Sequence, residues 1–374
     1  MISLLNNKNN EVILYGAGFL APDFIWFCRK NNIKIKYILD KKFNRNEIFL
    51  GIHGYSPINY HFSKKEKEKD IVIITIIKEK TQKEVKKFLK KIGFKKVFLY
   101  NEVREYNNYL QNFLKLLPEK KKNKFFKNSD TKEVAVILHL YYPDLVNEVV
   151  AFLSNISESF SLYVSIPPTL DCWLIKKQLS EGLPQAEVSV YVFENKGRDI
   201  APFLKILKTI ITKNYKQILK IHTKKSLHVN FGTLWRRQLY FRLIGSFQCY
   251  NKVKYIFKKY NKVGLIAPLG YLYPLKYYLG NTEEKIKNLL NIFKIDWDKN
   301  ISKFVFVAGT MFWFRPEVFK KLGSLDSSFL IFEPEAGQLD GTLAHALERF
   351  FGILPVIEGY KILQMDEEGK IYEQ

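Results

Sequence analysis

Residues 187–207 read EVSVYVFENKGRDIAPFLKIL, and the folding of this stretch decides the class of the larger part of the chain. EVSVYVFEN is dense in β-branched and aromatic residues and reads as a strand. The NKGRD that follows supplies a glycine able to take a left-handed turn, then a guanidinium and a carboxylate, before the apolar run IAPFLKIL. In a parallel sheet such a turn stands at the carboxyl end of the strand, where α/β proteins bind their ligands. Arg198 is suited there to grip phosphate oxygens with two N–H groups, and Asp199 to hold an uncharged polar group of a base or sugar. The other reading is a salt-bridged turn; unpaired charge against so apolar a run is costly, which favours the ligand role.

The flanking sequence supports a parallel sheet. VAVILHLYY from Val134 reads as a strand, DLVNEVVAFLSNI as a helix, FSLYVSI as a strand and the segment from Trp173 to Leu179 as a second helix. YKQILKIH, KVGLIAPL and KFVFVAGTMFWF are later strands. Nearer the start, EVILYGAG is a strand entering a glycine turn, APDFIWFCRKN a helix and IKIKYILD a strand. DIVIITII and KVFLY are further strands, with KEVKKFLKKIG helical between them. Strands alternating with helices imply crossover connections, so the fold class is α/β. From Val103 to Thr131 the sequence turns polar and Lys-rich without a convincing strand. The expected division is a small Rossmann-like accessory domain over residues 1–102, a helical and basic linker over 103–130, and a second α/β domain over 131–374.

Composition narrows the function. Of 374 residues, 47% are hydrophobic and 15% aromatic, ample for packed cores. Lys+Arg number 60 against 37 Asp+Glu, a net charge of +23 that suits an anionic membrane surface or a phosphorylated substrate. No nucleic-acid-binding signature accompanies the charge, so nucleic acid is not an expected partner. Cys28, Cys172 and Cys249 form no CxxC pair and no metal spacing with histidine, which fits a reducing cytoplasm. The opening MISLLNNKNNEVILYG has too short an apolar run for a secretory signal, and FVFVAGTMFWF from Phe304 is too short to span a bilayer. The expected location is cytoplasmic, with any membrane association peripheral, on the inner face of the cytoplasmic membrane.

Gly16-Ala17-Gly18 follows a strand and opens a helix, and Asp40 ends the next strand, in the manner of a dinucleotide-binding fingerprint. Gly16 and Gly18 would let a phosphate approach the helix N-terminus while Asp40 accepts hydrogen bonds from a ribose. Alternatively the glycines only permit close packing of strand and helix. A nicotinamide oxidoreductase built on this turn lacks any accompanying catalytic set.

A more specific signal is an ordered series of strings: HLYY from His139, ENKGRDIAPF from Glu194, KIHTKKS from Lys220, WR at Trp235, GLIAP from Gly264, AGTMFWFR from Ala308 and DGTLAHALER from Asp340. The series, from His139 to about Gly352, closely resembles the rhamnan synthesis protein F family. The resemblance implies a glycosyltransferase of GT-A nucleotide-sugar fold, acting in rhamnose-containing and related surface glycans such as capsule or O-antigen. Its partners would be a nucleotide sugar, with rhamnose the sugar the resemblance suggests, and a glycan or lipid-linked acceptor. The rival is a non-catalytic sugar-nucleotide or glycan-binding subunit of an assembly complex.

Where many GT-A enzymes end a strand in two metal-binding aspartates, this chain offers Lys220, His222, Lys224 and Lys225. With Asn195, Gly197, Arg198 and Asp199 they form the expected donor site, in which cations neutralise the departing diphosphate and no divalent metal or other cofactor is required. A basic surface turn is the plainer alternative. Asp296 and Asp298, the sole Asp-x-Asp of this half, do not end a core strand and are not expected to hold a metal. Gly309, Thr310, Trp313 and His345 are expected around the sugar or acceptor, Trp313 stacking on a sugar face. By the same resemblance Asp340 is the expected base of an inverting transfer, with Glu333 and Glu335 in reserve. Asp340 also suits a plain helix cap, and Glu348 with Arg349 a structural pair.

Overall fold

The computed structural model describes residues 1–5, 11–44, 46–116, 132–225, 232–326 and 329–373. The basic stretch 117–131, expected within the linker, and Ser226 of KIHTKKS lie outside the described residues. The chain divides into two compact units, Met1–Lys115 and Leu116–Gln374. Both are of α/β type, as the alternation of strands and helices predicts.

The first unit runs β1 (Glu11–Tyr15), α1 (Ala21–Lys30), β2 (Lys34–Leu39), β3 (Glu47–Phe49), β4 (Ile52–Tyr55) and α2 (Lys64–Lys69). It continues through β5 (Ile71–Ile74), α3 (Glu79–Lys91), β6 (Lys96–Leu99) and α4 (Arg104–Lys115). The sheet order is β3-β4-β2-β1-β5-β6, with only β3 antiparallel to its neighbour. Ile13, Leu39, Val72 and Ile74 from the strands close one core with Leu89 and Phe94 from α3 and the turn after it. The helix expected at the start of the linker, α4, packs on this unit: Tyr106 is fully buried, its hydroxyl donates to Asp23 at 2.7 Å, and its ring meets Phe24 and Phe27 edge-on.

The second unit begins β7 (Val134–His139), α5 (Val146–Leu153), β8 (Phe160–Ile166), α6 (Cys172–Gly182), β9 (Ala186–Val192), α7 (Ile200–Ile210) and β10 (Gln217–His222). Then come α8 (Gly232–Ile244), α9 (Phe247–Lys259), β11 (Val263–Pro268), β12 (Leu272–Pro274), α10 (Glu283–Ile292) and α11 (Trp297–Asn300). It ends with β13 (Val305–Val307), β14 (Phe312–Phe314), α12 (Pro316–Gly323), α13 (Leu343–Phe350), α14 (Ile353–Ile357), β15 (Lys361–Met365) and β16 (Ile371–Glu373). The main sheet is ordered β16-β15-β11-β14-β10-β7-β8-β9. Strands β9, β8, β7 and β10 are mutually parallel, and β14 runs antiparallel to both β10 and β11. Every residue of β8 and β10 is buried, as expected of central strands covered on both faces.

KFVFVAGTMFWF departs from the expectation of one strand. Gly309 (φ +88°) and Thr310 (φ +48°) turn the backbone left-handed, which a continuous strand does not tolerate. The stretch therefore splits: β13 pairs with β12 in a separate two-stranded sheet, and β14 enters the main sheet. Among the described residues no helix is long and apolar enough to cross a membrane, and the three cysteines are free.

Candidate functional site

Chain order reverses direction in the main sheet between β7 and β10: β7 leads outward to β8 and β9, whereas β10 lies on its other side. Such a reversal opens a crevice at the carboxyl ends of the strands. His139 ends β7 and His222 ends β10, and the two are register partners, so both stand at this crevice.

Behind them lies a buried ion pair. Lys220, 1% exposed, donates to Asp199 Oδ2 at 2.6 Å and to the Thr310 carbonyl at 2.8 Å. The left-handed turn at Thr310 aims its carbonyl at the ammonium while its hydroxyl donates to the same Asp199 oxygen at 3.0 Å. A β-branched residue at positive φ is strained, and two hydrogen bonds to one ion pair account for its being held there. His222 Nδ1 lies 3.4 Å from Asp199 Oδ2 without hydrogen-bond alignment. Burial opposes ionisation of Asp199, but His222 where it is protonated at low pH, and the Lys220 ammonium throughout, hold the carboxyl well below the usual range. Asp199 Oδ1 has no partner among the described residues.

Lys220 is thereby corrected from a phosphate ligand to the residue that fixes Asp199. The cations left at the crevice are Arg198 and Lys224. Arg198 has φ +55° after Gly197 at +70°, and it donates to the Gln338 carbonyl and lies 3.7 Å from Glu335. The glycine at 197 is required by Phe332, whose ring stands 2.6 Å from where a Cβ would be, so it serves packing and not ligand approach. Lys224 rests 3.9 Å from the centre of the Trp235 ring, and burial lowers its pKa. Lys225 turns away to Asp144 at 2.7 Å, and Asn195 is exposed. Gly309 is likewise packed by Leu239 and Trp235.

The candidate bases sort differently from expectation. Asp340 accepts from the Asn281 N–H at 2.9 Å and faces Arg349 at 3.1 Å. Burial works against its ionisation, but these partners win and lower its pKa. Glu333 accepts from the Leu343 N–H with both oxygens, at 2.9 and 3.2 Å, where α13 begins. Glu335 faces Arg198. Glu348, assigned to structural pairing in the sequence, is the carboxylate left available: half-buried, with no hydrogen bond or ion pair among the described residues. Burial raises its pKa, while Lys224 nearby pulls the other way. Its spacing of three from His345 puts both on one face of α13, a signal present in the sequence.

His345 Nδ1 shares a 2.7 Å hydrogen bond with the Thr342 hydroxyl, and its Nε2 is buried without a partner. Trp313 is corrected from sugar stacking to core: it is fully buried, and its indole N–H donates to the Leu243 carbonyl at 2.9 Å. Asp296 caps α11 and pairs with Lys299 at 3.2 Å. Among the described residues no three His, Cys, Asp or Glu side chains are grouped as metal ligands would be.

In the first unit the glycine turn is closed from within. A Cβ on Gly16 (φ +106°) would stand 2.6 Å from Ile76, while Gly18 faces open space. Asp40 accepts from the Ala17 N–H at 2.7 Å and the Lys42 N–H at 3.0 Å. Each Asp40 oxygen, expected to face a ribose, thus already accepts one backbone N–H, from Ala17 in the turn and from Lys42 just after Asp40.

Burial pushes the His139 and His345 pKa values down to about 4 and that of His222 to about 3, so all three rings are neutral at neutral pH. Unfolded, each takes a proton near pH ~6.5, so between that pH and about 4 the unfolded state binds more protons and stability falls as pH falls. The melting temperature should be level above neutrality and drop steadily through this window. A flat profile there would contradict neutral buried imidazoles.

A model of the family described as rhamnan synthesis protein F matches residues 60–360, beginning earlier than the motif series at His139. Two relatives, both named uncharacterized protein WxcX, come from Xanthomonas campestris pv. campestris strain B100 and a second strain of that pathovar. Each is 32% identical over 232 residues. The match covers 62% of this chain and 32% of theirs, so the chain spans about a third of the length of these relatives. The chain belongs to the rhamnan synthesis protein F family.

Proposed function

We propose that this protein is a glycosyltransferase of GT-A type, moving rhamnose or a related sugar from a nucleotide donor to a glycan or lipid-linked acceptor. The observation that carries the reading is the gathering of Arg198, Lys224, a fixed Asp199 and a basic Glu348 at the crevice where the sheet reverses. In the proposed reaction Asp199 Oδ1 accepts a hydrogen bond from the donor. Glu348 takes the proton of the acceptor hydroxyl as its oxygen bonds to the anomeric carbon. The bond from that carbon to the diphosphate breaks, and Lys224 and Arg198 meet the charge that develops on the departing nucleoside diphosphate. The sugar is thereby inverted. Fixed cations in a partly buried site can serve in this way without a divalent ion, and metal independence is part of the proposal.

Lys224 is the most direct handle on donor binding. Lys224→Met keeps the apolar stem on Trp235 and removes the charge, so donor affinity should fall about tenfold or more while the melting temperature holds. Transfer by the parent should persist in EDTA. Unchanged affinity in the variant, or loss of transfer in EDTA restored by Mn²⁺ or Mg²⁺, would reject this assignment.

A further inference from the structure

Six large apolar side chains of the second unit, Trp173, Leu174, Val192, Phe329, Ile331 and Leu339, are between 44% and 80% exposed. All belong to the carboxyl edge of the parallel strands. Trp173 and Leu174 open α6 after β8, and Val192 ends β9. The other three stand on residues 329–340, which are tied to the start of α7 by Phe332 against Gly197 and by Glu335 and Gln338 against Arg198. This segment reverses the usual order of a surface loop. Its three carboxylates are held by partners, Glu333 by Leu343 and Lys285, Glu335 by Arg198, and Asp340 by Asn281 and Arg349. Phe332 packs inward, but Phe329, Ile331 and Leu339 meet solvent instead.

Exposed lysines stand among these side chains: Lys176, Lys177 and Lys196, with the Lys177 ammonium 5.2 Å from the Trp173 ring centre. Trp with Lys beside isolated aliphatics is the composition of a surface that lies in the headgroup region of a bilayer, where rings and aliphatic chains sink in and ammonium groups reach anionic phosphates. A net charge of +23 adds long-range attraction to such a surface.

We infer that the rim of the crevice is a membrane-docking surface that seats the second unit on an anionic bilayer and turns the site toward a lipid-carried acceptor. Only the acceptor rests on the transfer reading; docking needs no chemistry, so the two can fail separately. The test is co-sedimentation of the full chain with phosphatidylglycerol-containing vesicles and with phosphatidylcholine vesicles. The parent should bind the anionic vesicles, and the combined Trp173→Ser, Ile331→Ser, Leu339→Ser variant should bind at least about tenfold more weakly with an unchanged melting temperature. Leu339→Asp alone, at a position 80% exposed, provides a second variant that cannot disturb the core. A parent that ignores anionic vesicles, or variants that bind as the parent does, would overturn the inference. So would sedimentation velocity in which the parent is a dimer and the variants are monomers, because a second copy would then cover the rim.

Discussion

Glu348→Gln should leave the protein folded and its donor affinity within about twofold, while kcat falls by ~10² to 10⁴, the usual contribution of a positioned base. The amide keeps the size of the carboxylate and cannot take the proton. Asp340→Asn should do the reverse. It weakens the contacts with Asn281 and Arg349 and costs ~1–3 kcal/mol of stability, with turnover per folded molecule near that of the parent. Should Asp340→Asn abolish turnover at unchanged stability while Glu348→Gln is harmless, the base is Asp340 and the assignment of Glu348 is wrong.

Lys220→Met should be the most destabilising single change at the site. It leaves the Asp199 carboxylate buried without its cation, and breaking a buried pair from one side typically costs ~3–5 kcal/mol. Removing both charges, as Lys220→Met with Asp199→Leu, should recover much of that stability and still eliminate donor binding. Denaturant unfolding measures both, and a single variant as stable as the parent would show that the pair is not what holds this part of the sheet.

The sequence made the α/β class legible because β7 and β8 are largely apolar runs with the residue types of buried strands, and β10 carries Ile218, Leu219 and Ile221. Residues 303–314 misled because hydropathy does not register the left-handed turn at Gly309 and Thr310, which sends β13 and β14 to different sheets. Arg198 and Asp199 were legible as charges pressed against an apolar run. Their division of labour was not, since the sequence cannot say that Lys220 turns inward to Asp199 while Lys224 stays at the crevice. Helical phase separates Glu348, facing Lys224, from Arg349, facing Asp340. Motif resemblance pointed to Asp340 and gave no weight to that phase.

Under the proposed function the second unit turns over a nucleotide sugar. The direct measurement is release of nucleoside diphosphate from a panel of nucleotide sugars, with glycan and lipid-linked acceptors, by the parent and by Glu348→Gln. Acceptor-dependent release from one donor class is expected of the parent, and donor binding with at least about a hundredfold slower release of the variant. A parent that binds a donor without releasing nucleotide in the presence of any of these acceptors would be a sugar-nucleotide-binding subunit and not a transferase.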